Sequence, residues 1–464
     1  MNINWKNQNQ TIHFIGIGGI SMSALAEILL RRGYRITGSD RNASPLTEHL
    51  ESLGATIHLG HQKEWVHGAD QIVYTSAIHP DNPERQEAAR LGIPQHKRAS
   101  LLGALMEDHE ISIAISGTHG KTTTTGILAA ILLEAKTEST ILNGGNTDVM
   151  GGNLSITGDR IFVTEACEYK ENFLELQPTH TAILNIDADH LDYFKDLNHI
   201  ESAFLRFAKI LPNNGTLVTS HDLLATFKDL DARILSFSLD ESGDYYPANA
   251  EHTAMGWSFN LMKQGRNLGL IDLALPGNHN MENALAAIAL ADSIGIEFSH
   301  IQHALATFTG VHRRMEKKGE QNGIIVYDDY AHHPTAIQAA LSAIRPRVQG
   351  RLFCIFQSHT FSRTHKLFRE FSQCFYDADL VLMDDIYPAR EKDTGLVHAR
   401  DLTKAILENG TDCRYLGSRD RMITYLKDNV QPGDWIVTVG AGDINKVGEK
   451  FLTEYEKKTS HIFV

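Results

Sequence analysis

Two rhythms of apolar positions alternate along this chain. Thr11–Ile17 is a short apolar run that predicts a buried strand, and Ile20–Arg32 carries Met22, Leu25, Ala26 and Leu29 at helical spacing. Tyr34–Gly38, Ala55–His58 and Gln71–Tyr74 predict further strands, and the unit closes near Leu105 before the charged run Glu107-Asp108-His109-Glu110. Strands alternating with helices imply a parallel sheet covered on both faces.

The pattern then restarts. Strand Ile111–Ser116, a glycine turn and helix Lys121–Ala135 are followed by strands at Ile161–Glu165, Thr181–Ile186 and Gly215–Val218. Ala254–Leu275 alternates polar and apolar residues as antiparallel hairpins do, and helix Asn280–Ser293 closes the unit before a linker at Phe308–Val311. A third unit comprises strand Ile324–Tyr327, helix Pro334–Ile344 with proline in its first turn, strand Arg351–Phe356, helix Phe361–Phe375, strand Leu380–Asp384, strand Trp435–Val439 and a final helix after Gly440 and Gly442. The expectation is an α/β protein of three domains: 1–106, Rossmann-like; 107–309, central and P-loop ATPase-like; and 310–464, Rossmann-like again.

Composition supports this. A length of 464 residues is about three times a ~150-residue domain, and 42% hydrophobic with 22% charged residues is ordinary for a globular chain. The formal charge of −14 repels nucleic acid and anionic lipid, so any phosphate recognition must be local. Cys167, Cys354, Cys374 and Cys413 form no Cys-x-x-Cys pair, which points to free thiols. Residues 1–10 are polar and Ile127–Leu133 is too short to span a bilayer, so a cytoplasmic protein is expected.

The strongest chemical signal is Ser116-Gly117-Thr118-His119-Gly120-Lys121-Thr122-Thr123, between a strand and a helix. Small residues let backbone N–H groups curl round phosphates, and the helix N-terminus adds positive potential. Lys121 would neutralise the β/γ-phosphates and the Thr122 hydroxyl would reach Mg²⁺. Ile115 stands where the general pattern has its first glycine. A second loop, Gly16-Ile17-Gly18-Gly19-Ile20-Ser21, has Ser21 in place of the third glycine of a dinucleotide turn and Asp40 in place of its ribose-binding acid. By itself it fits tight-turn packing equally well, and Asp40 equally a solvated strand end. Glu165 and His190 follow strands on the side where sheets collect ligands, and a carboxylate and an imidazole beside a triphosphate suit Mg²⁺. Other polar groups gather in Gly277–Asn283, at Arg313-Arg314 and in Asp328–Pro334, while Lys317-Lys318 reads as a solvated face. His332 and His333 are adjacent and diverge, and no third spacing supports zinc.

Taken together, Gly117–Thr122, the Glu165 strand, Asn185–His190, His279-Asn280…Asn283 and Arg313-Arg314-Met315-Glu316 resemble the Mur ligases over essentially the whole chain. Within that family, Gly16–Gly19, Gly38-Ser39-Asp40, Glu165–Glu168 and Asp329–Thr335 are similar to the branch that joins L-alanine to the lactyl carboxylate of UDP-N-acetylmuramate. The resemblance implies a peptidoglycan-precursor enzyme using ATP and Mg²⁺, a monomer or weak dimer with no nucleic-acid or membrane partner. It implies a UDP-sugar site from Gly16, Gly18, Gly19, Ile20, Ser21, Asp40 and Ser76, with Tyr330, His332 and Arg363 at the muramyl end. It implies an ATP site from Gly117, Thr118, His119, Gly120, Lys121, Thr122, Thr123, His279, Asn283, Arg314 and Asp329. Catalytic roles fall to Lys121, Glu165, His190 and Arg314, and metal ligation to Thr122, Glu165 and His190. Ser21 replaces a frequent family glycine and Thr360 a frequent arginine. Several other Mur ligases support the metal with a carbamoylated lysine, whereas Ala203-Phe204-Leu205-Arg206 has none; the nearest are Lys195 and Lys209. Three rivals remain: a ligase that adds a tripeptide to the same sugar nucleotide, a nicotinamide oxidoreductase using Gly16–Asp40, and an ATP-hydrolysing switch.

Overall fold

The computed structural model describes residues 9–460 apart from 76, 255 and 390. Three sheets carry the chain. The first joins β1 (Thr11–Ile15), β2 (Arg35–Asp40), β3 (Thr56–Leu59), β4 (Gln71–Tyr74) and β5 (Gln95–Lys97), all parallel, in the order β3-β2-β1-β4-β5. β1 stops at Ile15 rather than Ile17 because Gly16 turns to φ +82°, and β2 runs on to Asp40.

The second sheet contains β6 (Ile111–Ser116), β7 (Ser139–Thr147), β8 (Gly152–Ile156), β9 (Ile161–Glu165), β10 (His180–Ile183), β11 (Thr216–Ser220), β12 (Arg233–Phe237), β13 (Tyr245–His252), β14 (Trp257–Lys263) and β15 (Arg266–Leu273). Their order is β15-β14-β13-β12-β11-β10-β6-β9-β7-β8. The strands from β12 to β7 are parallel, with antiparallel pairs at both edges. The helices Lys121–Glu134 and Asn278–Ser293 pack on one face, and their Ile, Leu and Ala side chains join one core with Ile113, Val163 and Phe259.

The third sheet, β16 (Glu316–Gln321), β17 (Ile324–Asp329), β18 (Leu352–Phe356), β19 (Leu380–Met383), β20 (Cys413–Tyr415) and β21 (Trp435–Val439), has the order β16-β17-β21-β18-β19-β20. Only β16 is antiparallel. The long helix expected at Phe361–Phe375 is two, Phe361–Lys366 and Phe368–Gln373, because the Leu367 backbone leaves the helical region at φ −106°, ψ 26°. β10 ends at Ile183, three residues short of expectation, because the backbone beyond it bonds to the phosphate-loop segment instead of extending the ladder. Lys317 and Lys318 pair with Glu320 and Glu316. The four cysteines are free thiols, and among the described residues no helix is long and apolar enough to cross a membrane.

Candidate functional site

β6 lies where the strand order of the central sheet reverses, with β9 on one side and β10 on the other. Open α/β sheets bind ligands at that point, beyond the carboxyl ends of the strands. Here the chain leaves Ser116 through Gly117, at φ +137°, and Gly120, at φ +87°, before entering the helix at Lys121. A Cβ on Gly120 would lie 2.2 Å from Asn283 Oδ1, so only glycine lets the loop approach the neighbouring helix. The segment after β10 fastens the loop: Thr118 N–H donates to the Asn185 carbonyl at 3.1 Å and His119 N–H to Asn185 Oδ1 at 2.8 Å.

Lys121 Nζ donates to the Gly117 carbonyl, to the Thr118 carbonyl at 3.2 Å and to Glu168 Oε2 at 2.9 Å. The Lys121 and Glu168 side chains are only 16% and 3% exposed. Burial opposes the lysine's charge, but Glu168 with Cys167 and Glu165 more than offsets it, and its pKa rises. His190 Nε2 lies 3.9 Å from Glu168, with its ring against Tyr169. Gly144 N–H donates to Glu165 Oε1 at 2.7 Å, and the adjacent Gly145 packs beside Thr122. Thr122, Glu165 and His190 therefore gather round the loop as hydroxyl, carboxylate and imidazole, a set that fits Mg²⁺ once phosphate oxygens and water complete it.

The third domain contributes from across the cleft. Arg314 Nη2 donates to Thr122 Oγ1 at 3.3 Å, and its guanidinium lies 4.9 Å from the Tyr330 ring centroid. Asp329 accepts from Met315 N–H and Ala331 N–H, and burial pushes its carboxyl up to about 6 despite Arg314. Arg363 pairs with Asp189 at 3.0 Å. These two, with Tyr330, His190 and Thr360, line a cavity of about 420 Å³ between the two domains. Burial drives the His332 imidazole well below its ordinary pKa, so it is neutral, and its Nδ1 faces the Tyr330 carbonyl at 2.9 Å. His279 is held down to about 4, by burial and then by His119. Asn283 accepts from the Thr124 hydroxyl at 3.2 Å, which pins its helix to the phosphate-loop helix.

In the first domain Gly18 N–H donates to Asp40 Oδ2 at 2.9 Å, and a Cβ on Gly18 would lie 3.0 Å from that oxygen. Gly16 N–H bonds to the Ser39 carbonyl, Gly19 N–H to the Gly16 carbonyl, and the exposed Ile20 accepts Asn153 Nδ2 of the central domain through its carbonyl. Ser76 lies outside the described residues.

Sequence reasoning passed over two features here. Arg98 donates to Ser21 Oγ at 2.9 Å. Burial lowers its pKa, opposed by Cys167 and Glu165 of the central domain, so it is a cation between the two glycine loops. An arginine at a helix start carries no local signal of that place. Behind the first loop, fully buried Glu84 accepts from Ser39 Oγ and faces His13 and His61, each at 2.6 Å.

The chain and its fold are similar to those of known proteins. The chain matches the family models Mur ligase family, catalytic domain, at residues 11–110; Mur ligase middle domain, at 115–291; and Mur ligase, glutamate ligase domain, at 313–442. UDP-N-acetylmuramate--L-alanine ligase of Acetivibrio thermocellus is 47% identical over 459 residues, covering 97% of both chains. The protein of that name from Clostridium novyi is 47% identical over 450 residues, covering 96% of this chain and 98% of its own. The structure of UDP-N-acetylmuramate-alanine ligase from Thermotoga maritima superposes with a TM-score of 0.80 at 27% identity, covering 97% of this chain and 100% of that one. A murein peptide ligase from Psychrobacter arcticus gives 0.70 at 27% identity, covering 96% and 99%.

Proposed function

Because the chain belongs to the Mur ligase family, we infer that it is an ATP-dependent ligase joining L-alanine to the lactyl carboxylate of UDP-N-acetylmuramate in peptidoglycan-precursor synthesis. One observation carries the reading: a phosphate loop with a buried lysine held by Glu168 and a facing Arg314 lies beside His190, which also lines a cavity with Arg363 and Tyr330. A nicotinamide oxidoreductase leaves Lys121 unexplained, and a nucleotide switch leaves the first glycine-loop domain unexplained.

Residues 1–106 hold the UDP-sugar through Gly16, Gly18, Gly19, Ile20, Ser21, Asp40 and Ser76, with Arg98 facing the diphosphate. Residues 107–309 hold ATP through Gly117–Thr123, His279 and Asn283, with Arg314 and Asp329 supplied by residues 310–464. Tyr330, His332 and Arg363 meet the muramyl end. A carboxylate is a poor electrophile, so its oxygen first attacks the γ-phosphorus of ATP, releasing ADP and leaving an acyl phosphate. The amine of L-alanine then attacks the acyl carbon, and inorganic phosphate departs from the tetrahedral intermediate. Both steps gather negative charge on oxygen, and Lys121 and Arg314 are preorganised to stabilise it. Thr122, Glu165 and His190 would hold Mg²⁺, which when bound neutralises phosphate charge. Closing the cleft keeps water from the mixed anhydride. The chain works in the cytoplasm as a monomer or weak dimer.

The test is ADP release with UDP-N-acetylmuramate, with and without L-alanine. Release that needs both substrates supports the reading. A tripeptide as the better acceptor moves it to the rival ligase, and NAD(P)H binding without ADP release discards it.

A further inference from the structure

The adjacent histidines His332 and His333 diverge, as the sequence implies, but His333 does find further metal-ligating groups, distant in sequence. His119 of the phosphate loop and Asp187 of the segment after β10 meet it across the cleft, with the ligating atoms of all three within 4.8 Å of one another. His119 Nε2 is 3.1 Å and His333 Nδ1 3.6 Å from Asp187 Oδ2, and the two rings lie 4.9 Å apart.

The proton arrangement is informative. His333 Nε2 faces the Ala188 carbonyl at 3.2 Å. A carbonyl only accepts, so Nε2 carries the hydrogen and the neutral ring turns a bare lone pair on Nδ1 towards Asp187. His333 is 5% exposed and that Nδ1 has no hydrogen-bond partner. Burial holds its pKa below the ordinary value. The hydrogen bond that His119 Nε2 donates holds the Asp187 carboxyl well below the usual carboxylate range, and His119 gives up that hydrogen when the nitrogen ligates a cation. An acceptor nitrogen thus faces a carboxylate with nothing between them, an arrangement a cation relieves.

We propose that His119, Asp187 and His333 form a site for a zinc-class divalent cation that joins the central domain to the third. Metal–ligand bonds of about 2.0–2.2 Å at a tetrahedral centre put ligand atoms about 3.3–3.6 Å apart, close to both distances here. Two imidazoles select a borderline metal over hard Mg²⁺. The carboxylate is already oriented, because Ala188 N–H donates to Asp187 Oδ1 at 2.7 Å and the Thr335 hydroxyl to Oδ2 at 2.8 Å. Asp187 and His333 also line a cavity of about 420 Å³ with Thr335 and Gln338, through which water would reach a fourth position. Because the ligands come from two domains, the bound ion holds the cleft closed. The site is distinct from the Mg²⁺ ligands above and does not depend on the ligase reading.

The test titrates CoCl₂ into the full-length protein without Mg²⁺ or nucleotide, followed by visible absorption, and ZnCl₂ against a chromophoric chelator. The wild type should bind one equivalent with the intense d–d bands of a tetrahedral ion, and its Tm should rise. His333→Gln should weaken that binding by roughly a hundredfold or more, since loss of outer-shell partners alone costs 10–100-fold. Asp187→Asn should do the same, and Zn²⁺ should displace Co²⁺. Weak octahedral spectra in the wild type, or undiminished tetrahedral binding in both variants, would overturn the proposal.

Discussion

At the scale of single residues, the most consequential contact is Lys121 with Glu168. The motif announces Lys121, but its partner stands 47 residues away and only the fold brings it near. On the sequence alone, Lys121→Met should leave the fold intact and lower turnover by roughly 10²–10³, the cost of one transition-state contact. The buried pair changes half of that expectation. Breaking such a pair from one side typically costs ~3–5 kcal/mol, because the remaining charge is uncompensated. Lys121→Met should therefore lower Tm as well as activity, and adding Glu168→Gln should restore Tm while activity stays low. Near-normal ADP formation by a folded Lys121→Met variant would discard the assignment. Asp329 supplies a second test. Burial pushes its carboxyl up to about 6 when folded, against about 3.9 unfolded. Between those values the folded chain keeps a proton that the unfolded chain has released. The group's stabilisation is present at the low end of that window and is lost as pH rises through about 6. At 1.36 kcal/mol per pH unit the full effect is about 3 kcal/mol. Asp329→Asn should flatten the dependence of Tm on pH between 4 and 6.5; parallel profiles would remove the argument.

At the scale of elements, β7 positions Glu165 through Gly144, whose added Cβ would lie 2.5 Å from Glu165 Oε1. That atom is the end of a flexible side chain, so Gly144→Ala should fold normally while pushing the carboxylate off its place. Displacing a ligand's support typically weakens metal binding 10–100-fold, so the Mg²⁺ concentration for half-maximal rate should rise by that order with little change in Tm. An unchanged Mg²⁺ requirement would remove Glu165 from the metal set. The helix Leu197–Ala208 bears on the same site. Ala203-Phe204-Leu205-Arg206 contains no lysine to carry a carbamate; Ala203 and Phe204 are buried in the core and Arg206 is paired with Glu171 at 2.6 Å. Activity in CO₂-depleted buffer should not recover on adding bicarbonate; a clear rescue would overturn this metal site. The strands and helices that periodicity predicted do form, but it passed over others, among them β7, β12 and β16, and it did not fix their ends. β10 stops early because of a tertiary contact and the Phe361 helix breaks where the Leu367 backbone turns out of the helical region, neither of which a local pattern carries.

At the scale of the molecule, the site is assembled from the carboxyl ends of strands in three sheets. Asn153 reaches the Ile20 carbonyl, Arg98 lies between the glycine loops, and Arg314 and Arg363 cross to Thr122 and Asp189. On the proposed function, the amino acid is selected in this assembled cleft. Small apolar differences supply only ~1–3 kcal/mol, so steady-state kinetics should rank L-alanine first, with glycine and L-serine as slower substrates; equal kcat/KM for all three would argue against a shaped pocket.

The sequence by itself determined the α/β class, the two glycine loops and Lys121. These depend on local spacing and on backbone freedom at Gly16, Gly117 and Gly120, which a chain carries wherever it folds. It also held enough separated motifs to point to the family. Only the tertiary structure decided that Glu168 holds Lys121, that Arg98 reaches Ser21, and that His333 meets His119 and Asp187. Those contacts join residues far apart in the chain, so their energies depend on distances that no local pattern encodes.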